Sequence, residues 1–356
     1  MKISFVLPTY SRKLSGGKKI IYEYANFLAN NGHDVTLYYP YENYKGKIKK
    51  IPAPQFIKEL VFKYVAKYDR ITWFNLNENI KRKGVIVVDD KNILDGDAIV
   101  ATAVETACLV MRLTSSKGHK FYFIQDYETW NLDEKEVDAT FGYGMTNIVI
   151  SKWLKRIVDS KSKEESILIP DGIDTTVFKV EEGDRIPHSI VFHYRKSAHK
   201  GSEYAFEAIR RLEKKYADLK VFCISREEKP NDLPMSCQYL HNLKPKEVAE
   251  INNKAQIFMC SSIDEGFGLP GLEAMACGCA VVSTSYTGVL EYAQDKYNAY
   301  LSKPKDVEQM VNNIEFLFNN NDIRDMISRN GIETVEGFSF LKSAQLFEKN
   351  LEKRCH

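Results

Sequence analysis

Residues 261–278 read SSIDEGFGLPGLEAMACG, and this stretch decides the fold of the second half of the chain. The apolar run at 257–259 predicts a strand that leads into it, and Pro270 marks the first turn of a short helix that closes it. A glycine-rich turn between a strand and a helix presents backbone N–H groups and the positive end of a helix dipole to an anion. Glu265 lies in the turn and Glu273 in the helix, so both can converge on one ligand that bears phosphates and hydroxyls.

The length and composition of the chain favour an ordinary globular protein. Its 356 residues exceed one usual core and suit two domains of roughly 150 residues each. A hydrophobic content of 44% with 28% charged residues excludes wholesale disorder. The seven cysteines include no C-x-x-C pair, and the first apolar run is too short for a signal peptide. No stretch is apolar enough to span a membrane. We therefore expect a cytoplasmic protein.

Strand and helix patterns alternate along the whole sequence, which predicts an α/β fold with mostly parallel sheets. The first forty residues predict a strand at Ile3–Leu7, a helix at Lys18–Asn31 and a strand at Val35–Tyr39. Later strands are predicted at Val85–Val88, Ala98–Ala101, Lys120–Ile124, Asn147–Ile150, Ser189–His193, Lys220–Ile224, Cys237–Leu240, Gln256–Cys260, Cys279–Ser283 and Ala299–Leu301. We expect domains at 1–168 and 169–337 and a final segment at 338–356, and the polar residues 180–187 are interpreted as a linker.

The spacing of Glu265 and Glu273 resembles the E-x7-E motif of retaining glycosyltransferases of family GT4. The resemblance implies the GT-B fold, in which two Rossmann-like domains face a central cleft. It also implies that a last helix, at 338–351, crosses back to the first domain. The match is strongest at 257–291 and weakest at 41–113, where acceptors are usually recognised.

The same resemblance assigns roles to charged residues of the second domain. Arg195 and Lys200 follow its first predicted strand, and the family binds the donor diphosphate with an Arg and a Lys-Gly at these positions. Fixed cations suit this task, because negative charge develops on the leaving phosphate. Glu265 would face the donor sugar, and Glu273 would hydrogen-bond the ribose. We expect Glu265, Arg195 and Lys200 to be the catalytic residues.

Backbone groups and apolar side chains complete the expected donor site. The resemblance implies that the turn amides of Phe267, Gly268 and Leu269 contact the sugar or phosphate. It further implies that the segment containing Leu240 and Leu243 frames the base. In the first domain, Gly16 and Gly17 would offer N–H groups to the β-phosphate. The donor-binding residues that we expect are therefore Gly16, Gly17, Glu273, Phe267, Gly268, Leu269, Leu240 and Leu243. The fingerprint G-x-G-x-x-G is absent, which argues against an NAD enzyme.

Gln125 and Asp126 are the expected residues on the acceptor or sugar side. Many GT4 enzymes carry a His-Asp pair here, and Gln125 takes the place of the histidine. The run FYFIQDYE at 121–128 is similar to bacterial rhamnosyltransferases of cell-surface polysaccharide assembly. L-rhamnose is therefore the sugar that this short segment indicates.

We expect no metal and no cofactor other than the sugar nucleotide. Asp95-Gly96-Asp97 has the D-x-D form that coordinates Mn²⁺ or Mg²⁺ in GT-A transferases, but it precedes a strand in a glycine turn without further ligands nearby. We interpret it as a turn. For His193 and His199, contact with phosphate and a loop or packing role are both open.

The charge of the chain is uneven. Residues 45–83 hold eleven Lys and Arg against three acidic residues, whereas the whole chain has a net charge of +2. An anionic membrane surface, rather than nucleic acid, is the partner expected for this segment, with the protein peripheral on the inner face of the membrane. One predicted helix face is apolar, formed by Phe56, Ile57, Leu60, Val61, Tyr64 and Tyr68. The alternative is that this face packs on the sheet.

Together these patterns predict a retaining glycosyltransferase that moves a hexose from a nucleotide diphosphate sugar to a glycan or a lipid-linked acceptor. Two other functions are open. A sugar-nucleotide epimerase of the same fold would need acid–base carboxylates and no acceptor site. A non-catalytic sugar-nucleotide-binding partner would have kept the fold without the reaction.

Overall fold

The computed structural model describes residues 1–12, 15–41, 54–129 and 132–355. The chain forms two compact units, Met1–Ile169 with Ala344–His356, and Pro170–Ser343. The predicted linker at 180–187 therefore lies inside the second unit. Arg185 anchors it there, because its guanidinium donates to the carbonyl oxygens of Asn252 and Cys277.

The first unit contains a seven-stranded parallel sheet with the order β3-β2-β1-β4-β5-β6-β7. Its strands are β1 Lys2–Val6, β2 Asp34–Pro40, β3 Lys81–Val85, β4 Ala98–Ala101, β5 His119–Ile124, β6 Thr146–Val149 and β7 Ile167–Leu168. Its helices are α1 Gly16–Asn30, α2 Gln55–Tyr68, α3 Val104–Val110, α4 Glu134–Phe141 and α5 Lys152–Asp159, and the last helix of the chain, α11, covers Phe340–Cys355.

The last helix belongs to the core of the first unit, as predicted. Its residues Ala344, Phe347 and Leu351 are fully buried. The Phe347 ring lies 4.7 Å from the Tyr24 ring and 5.6 Å from the Phe123 ring, measured between centroids. These residues share one helix face, so α11 covers the sheet with an apolar stripe.

The third strand differs from the prediction. It covers Lys81–Val85 rather than Val85–Val88, and it forms the edge of the sheet next to β2. The apolar residues at 85–88 favoured the later position, because a strand that is buried on both faces is usually apolar. An edge strand is only partly covered, so it tolerates the basic residues Lys81, Arg82 and Lys83.

The second unit contains a six-stranded parallel sheet with the order β10-β9-β8-β11-β12-β13. Its strands are β8 Ser189–His193, β9 Lys220–Ser225, β10 Cys237–His241, β11 Ile257–Cys260, β12 Ala280–Thr284 and β13 Ala299–Ser302. Its helices are α6 Ser202–Glu213, α7 Pro245–Lys254, α8 Leu269–Ala276, α9 Val307–Asn319 and α10 Asn321–Val335. The sequence pattern predicts the first four of these helices, at Glu203–Tyr216, Pro245–Asn253, Leu269–Cys277 and Val307–Asn319, but it does not predict α10.

Both sheets reverse their strand order beside their first strand. In the first unit β1 lies between β2 and β4, and in the second unit β8 lies between β9 and β11. In an open parallel sheet, ligands bind outside the carboxyl ends of the strands at such a switch point. Among the described residues, no helix combines the length and the apolar composition that crossing a bilayer requires.

Candidate functional site

A small cavity of about 60 Å³ opens at the switch point of the second unit. Its polar lining comes from the ends of β8 and β11 and from the loops that follow them, and includes His193, Arg195, Lys200, Ser261, Ser262 and Glu265. Aromatic and small residues complete the wall, among them Phe258, Tyr286 and Gly268. Three predicted catalytic residues, Arg195, Lys200 and Glu265, therefore lie around one cavity.

Lys200 and Glu265 form an ion pair across this cavity. The Lys200 ammonium donates to Glu265 Oε1 at 2.8 Å, and the Ser262 hydroxyl donates to Glu265 Oε2 at 3.4 Å. The side chains of Lys200 and Glu265 are only 23% and 22% exposed. The family resemblance assigns the two residues separate roles, and the structure brings them into direct contact.

The two loops that carry this pair approach each other at Gly201. This residue has φ 58°, in the left-handed region, and an added Cβ would lie 2.1 Å from the Ser261 carbonyl oxygen. The Ile263 N–H donates to the His199 carbonyl at 2.7 Å, which joins the same loops. Only glycine fits position 201, and its absence of a side chain lets Lys200 reach Glu265.

Arg195 has no salt bridge to any residue that the structure describes. Its guanidinium donates to the Tyr194 carbonyl at 3.0 Å, and its backbone N–H donates to the Ser202 hydroxyl at 3.2 Å. The backbone of its loop is thus fixed by α6, while the positive charge has no carboxylate beside it. A guanidinium in this position favours an anionic ligand.

Arg226 is a functional candidate that the sequence-based analysis missed. It follows β9 directly, and its electrostatic neighbours are Arg195 and Glu273. Partial desolvation and the nearby Arg195 lower the pKa of Arg226, and Glu273 raises it. The sequence could have indicated Arg226 by its position just after the strand β9, which pairs with β8. Arg195 has a similar position after β8.

His193 lines the cavity, and one of its ring nitrogens is buried. Its Nε2 has no hydrogen-bond partner among the residues that the structure describes. Burial, together with Arg195 and Arg226, lowers the pKa of His193 to about 3. The imidazole is therefore neutral at physiological pH and has one nitrogen available to a ligand in the cavity. Both readings of this residue, phosphate contact and packing, fit these contacts.

The two glutamates of the E-x7-E motif have different surroundings. Glu265 lines the cavity, whereas Glu273 lies half-buried on α8, outside the cavity lining and close to Arg226. Gly268 has φ 94° and precedes Leu269, the first residue of α8. Phe267 is 3% exposed and packs against the rings of Tyr292 and Phe338, so its side chain belongs to the core.

Leu240 and Leu243 are not part of the lining of this cavity. Leu240 is in β10, the edge strand, and Leu243 is in the short connection to α7. Both side chains are half-buried, and neither lines the cavity that Glu265 faces. A role in framing a base is a prediction that these positions leave untested.

At the switch point of the first unit, Gly17 and Gln125 lie side by side. An added Cβ at Gly17 would lie 3.2 Å from Gln125 Oε1, whereas Gly16 has nothing within 4 Å. The Ser15 hydroxyl accepts from the Lys18 N–H at 3.3 Å, so α1 begins at Gly16, two residues earlier than predicted. Asp126 follows Gln125 and accepts from the Tyr127 N–H at 2.8 Å.

Glu128 is a second candidate that the sequence-based analysis did not select, although it closes the run at 121–128. Its Oε2 accepts from the Val104 N–H at 2.6 Å. Burial raises the pKa of Glu128 to about 7; the hydrogen bond opposes this shift, and the charges of Asp126 and Glu105 add to it. A buried carboxyl group that titrates near neutrality can hold or release a proton there.

The carboxylates of Asp95 and Asp97 take part in local hydrogen bonds. Asp95 Oδ1 accepts from the Lys117 ammonium at 2.6 Å, and Asp97 Oδ2 accepts from the Lys2 N–H at 2.6 Å. This agrees with their interpretation as a turn. Within the described residues, a separate group of potential metal ligands is formed by His33, Glu348 and Glu352. Both ring nitrogens of His33 already have partners there, the Met1 amine and Glu348.

Comparison with known proteins shows that part of the chain matches a protein family. Residues 178–334 match the family described as glycosyl transferases group 1. An uncharacterised glycosyltransferase of Methanocaldococcus jannaschii is 27% identical over 226 residues, which is 60% of this chain and 62% of that protein. The N,N'-diacetylbacillosaminyl-diphospho-undecaprenol alpha-1,3-N-acetylgalactosaminyltransferase of Campylobacter jejuni is 28% identical over 87 residues, 24% of this chain and 23% of that protein. The chain thus spans less than two thirds of the length of either relative.

A solved structure covers the entire chain. The HepE protein of Anabaena, determined in complex with UDP-glucose, has a TM-score of 0.74 with 14% identity and covers 99% of this chain and 100% of its own. At this identity the likeness concerns the fold, which is the GT-B fold. The predicted resemblance to glycosyltransferases and the predicted fold class are confirmed.

Proposed function

We propose that this chain is a retaining glycosyltransferase that needs no metal ion. It would transfer a hexose from a nucleotide diphosphate sugar to a glycan or lipid-linked acceptor in cell-surface polysaccharide synthesis. The observation that carries the proposal is the group of Arg195, Lys200 and Glu265 around one cavity at a topological switch point. L-rhamnose as the transferred sugar rests on the short run at 121–128 alone.

The charges around the cavity fit a diphosphate leaving group. Breaking the anomeric C–O bond leaves negative charge on the β-phosphate, and preorganised cations stabilise it without reorganisation. Arg195 and Arg226 offer guanidinium groups with no salt bridge to the described residues, while Lys200 is neutralised by Glu265 in the structure. A bound phosphate would compete for Lys200. Glu265 would then be released to accept hydrogen bonds from hydroxyls of the donor sugar.

The acceptor hydroxyl must lose a proton as the new bond forms. On a retaining path the departing phosphate oxygen takes this proton on the same face of the sugar. The residues around the cavity would orient the diphosphate for this step. His193 is neutral, so it adds no positive charge and can offer a hydrogen bond from its buried Nε2.

The names of two similar proteins support this choice of substrates. The Campylobacter relative is named for transfer onto a sugar linked through a diphosphate to undecaprenol, and the Anabaena structure contains UDP-glucose. A nucleotide sugar as donor and a lipid-linked sugar as acceptor are therefore the substrates that we propose to test first.

The proposal includes a peripheral contact with an anionic membrane through α2. The alternative that its apolar face packs on the sheet is wrong, because Phe56, Leu60 and Tyr64 are 70%, 69% and 66% exposed. The opposite face packs on β3, where Ala66 is fully buried and would meet any side chain added at Gly84. The same helix carries Lys58, Lys63 and Lys67. Basic residues on a helix with an exposed apolar face suit contact with a lipid headgroup layer.

A panel of nucleotide sugars tests the proposed activity. The protein is incubated with each donor, with and without a lipid-linked or glycan acceptor, and the release of nucleoside diphosphate is measured. We expect release with one donor, accelerated by acceptor. Conversion of the donor to a different sugar nucleotide without acceptor would identify an epimerase instead. Binding of donor with neither product would indicate a non-catalytic binding protein.

A further inference from the structure

A large cavity in the first unit shares no residue with the candidate donor site around Glu265. It has a volume of about 900 Å³ and lies in the first unit, between the end of α2 and the edge strand β3. Five basic residues line it, Lys67, Arg70, Lys81, Arg82 and Lys83, against one acidic residue, Glu78. Neither Gln125 nor Glu128 contributes to its wall.

Arg82 is the cation whose hydrogen bonding is incomplete. Its Nη2 donates to the Lys67 carbonyl at 2.8 Å, while its Nη1 is buried with no partner among the described residues. A buried N–H group without an acceptor is unfavourable, and an anionic oxygen in the cavity would satisfy it. The rigid anchoring of Nη2 holds the guanidinium in place for such a ligand.

The other basic side chains of the cavity differ in whether an acidic residue neutralises their charge. Lys81 is paired with Asp34 at 2.7 Å. Arg70 and Lys83 have no salt bridge to any described residue, and the Lys67 ammonium lies 4.8 Å from the centre of the Tyr68 ring. Several cations with no acidic partner remain around one cavity. A lipid headgroup with a single negative charge would neutralise only one of these cations. A ligand group with several negative charges suits the cavity better.

The remaining wall of the cavity is apolar, with Ile71, Phe74 and Leu76 among its residues. Tyr68 also lines it, and the Tyr68 ring lies 5.0 Å from the ring of Tyr64, which belongs to the exposed apolar face of α2. The cavity is therefore continuous with the surface that we expect to face the membrane. A ligand with a charged head and a hydrocarbon tail fits this combination.

We propose that this cavity binds the diphosphate of a lipid-linked acceptor, with the lipid chain running along the apolar face of α2 into the bilayer. This inference rests on the proposed function, because it defines the class of acceptor that the enzyme would use. Arg82, Arg70 and Lys83 would hold the phosphate oxygens. The sugar to be extended would remain outside the cavity, so the site recognises the carrier rather than the glycan.

Calorimetric titration with farnesyl diphosphate, a short soluble lipid diphosphate, tests the inference. The wild-type protein is compared with Arg70→Ala/Lys83→Ala, whose side chains make no salt bridge to the part of the chain that the structure describes. It is also compared with Arg195→Ala/Lys200→Ala, which removes the candidate donor site. Lys135→Ala is the matched control, since this exposed lysine of α4 lies outside both cavities. Inorganic pyrophosphate, farnesol and UDP are titrated into each protein.

We expect Arg70→Ala/Lys83→Ala to bind farnesyl diphosphate at least tenfold more weakly than wild type, and to bind UDP unchanged. Farnesyl diphosphate should bind more tightly than pyrophosphate or farnesol, because both of its parts contact the protein. Equal affinity for pyrophosphate would overturn the lipid part of the inference. If only Arg195→Ala/Lys200→Ala weakened farnesyl diphosphate, the cavity would not be its site and the proposed function would stand. If the wild-type protein bound farnesyl diphosphate at the cavity but did not bind UDP, the proposed function would be contradicted.

Discussion

The ammonium of Lys200 lies 2.8 Å from a carboxylate oxygen of Glu265, and the two residues come from loops that follow neighbouring strands of one sheet. The pair links the turn after β8 to the turn after β11. It neutralises the charge of the lysine that the proposed reaction needs. We expect a bound diphosphate to compete with Glu265 for Lys200, which would couple donor binding to the release of Glu265.

Removing any one of three proposed donor-binding residues, two phosphate-binding cations and the ribose-binding Glu273, should reduce turnover. Arg195→Ala, Lys200→Ala and Glu273→Ala should each lower kcat/KM by roughly 10²–10³-fold, as loss of one preorganised donor does in other enzymes. The measurement is nucleoside diphosphate release, with thermal melting to confirm folding. Lys196→Ala is the matched control, because Lys196 is exposed in the same loop and does not line the cavity. Near-normal turnover of Arg195→Ala and Lys200→Ala would refute the diphosphate assignment.

Gly201 should be irreplaceable, in contrast to Gly16. A left-handed residue other than glycine costs roughly 1–2 kcal/mol, and the contact between an added Cβ and the Ser261 carbonyl adds to this. Gly201→Ala should therefore lower Tm clearly and disrupt the Lys200–Glu265 pair. Gly16→Ala meets nothing within 4 Å and should keep or raise Tm. Equal melting temperatures for the two variants would show that the loops do not approach as described.

The sequence was most informative where strands are buried on both faces. Ala98–Ala101 and Ser189–His193 have the predicted bounds, because continuous apolar runs are typical of central parallel strands. The edge strand β3 was misplaced for the opposite reason. The helix α10 was missed because Gly331 disfavours helix in isolation, yet in the structure it allows close contact with Met275.

The candidate site was predictable in its parts and not in its pairing. Motif spacing indicated Arg195, Lys200 and Glu265, but a contact between residues 65 positions apart depends on the packing of two loops. Arg226 and Glu128 were missed because their properties come from neighbours distant in the sequence. The type of a single residue does not indicate which distant residues surround it in the fold. These neighbours become visible only when the strands are placed side by side in the sheet.

Activity should not depend on a divalent metal. Since Asp95 and Asp97 bind Lys117 and Lys2, their carboxylates are occupied in the fold. We expect full turnover in excess EDTA, and Asp97→Asn should remain active. Activity that EDTA abolishes and Mn²⁺ restores would contradict the prediction and make these aspartates candidate ligands.

The stability of the first unit should fall as Glu128 ionises. Its pKa is raised from 4.5 to about 7, so the native state binds the proton more tightly than the unfolded chain does. The stabilisation is fully present below pH 4.5 and is lost as the pH rises through 7, amounting to about 3 kcal/mol. Glu128→Gln keeps an acceptor for the Val104 N–H and cannot ionise. Denaturant unfolding at pH 5 and pH 8 should therefore show the variant gaining stability relative to wild type at pH 8, and parallel pH profiles would refute this.

Membrane attachment should depend on the exposed apolar residues of α2 and on the lysines of the same helix. In co-sedimentation with vesicles containing phosphatidylglycerol, the wild-type protein should bind at low salt and be released at high salt, since each Lys near an anionic surface contributes about 1 kcal/mol. Lys58→Glu/Lys63→Glu/Lys67→Glu should abolish the preference for anionic lipid. Leu60→Ser/Tyr64→Ser should weaken binding even at low salt, and both side chains are exposed enough that the fold should tolerate the change. Leu94→Ser is the matched control, because Leu94 is 50% exposed in the same unit but outside α2. If binding were equal for neutral and anionic vesicles, or unaffected by the glutamate substitutions, α2 would have another partner.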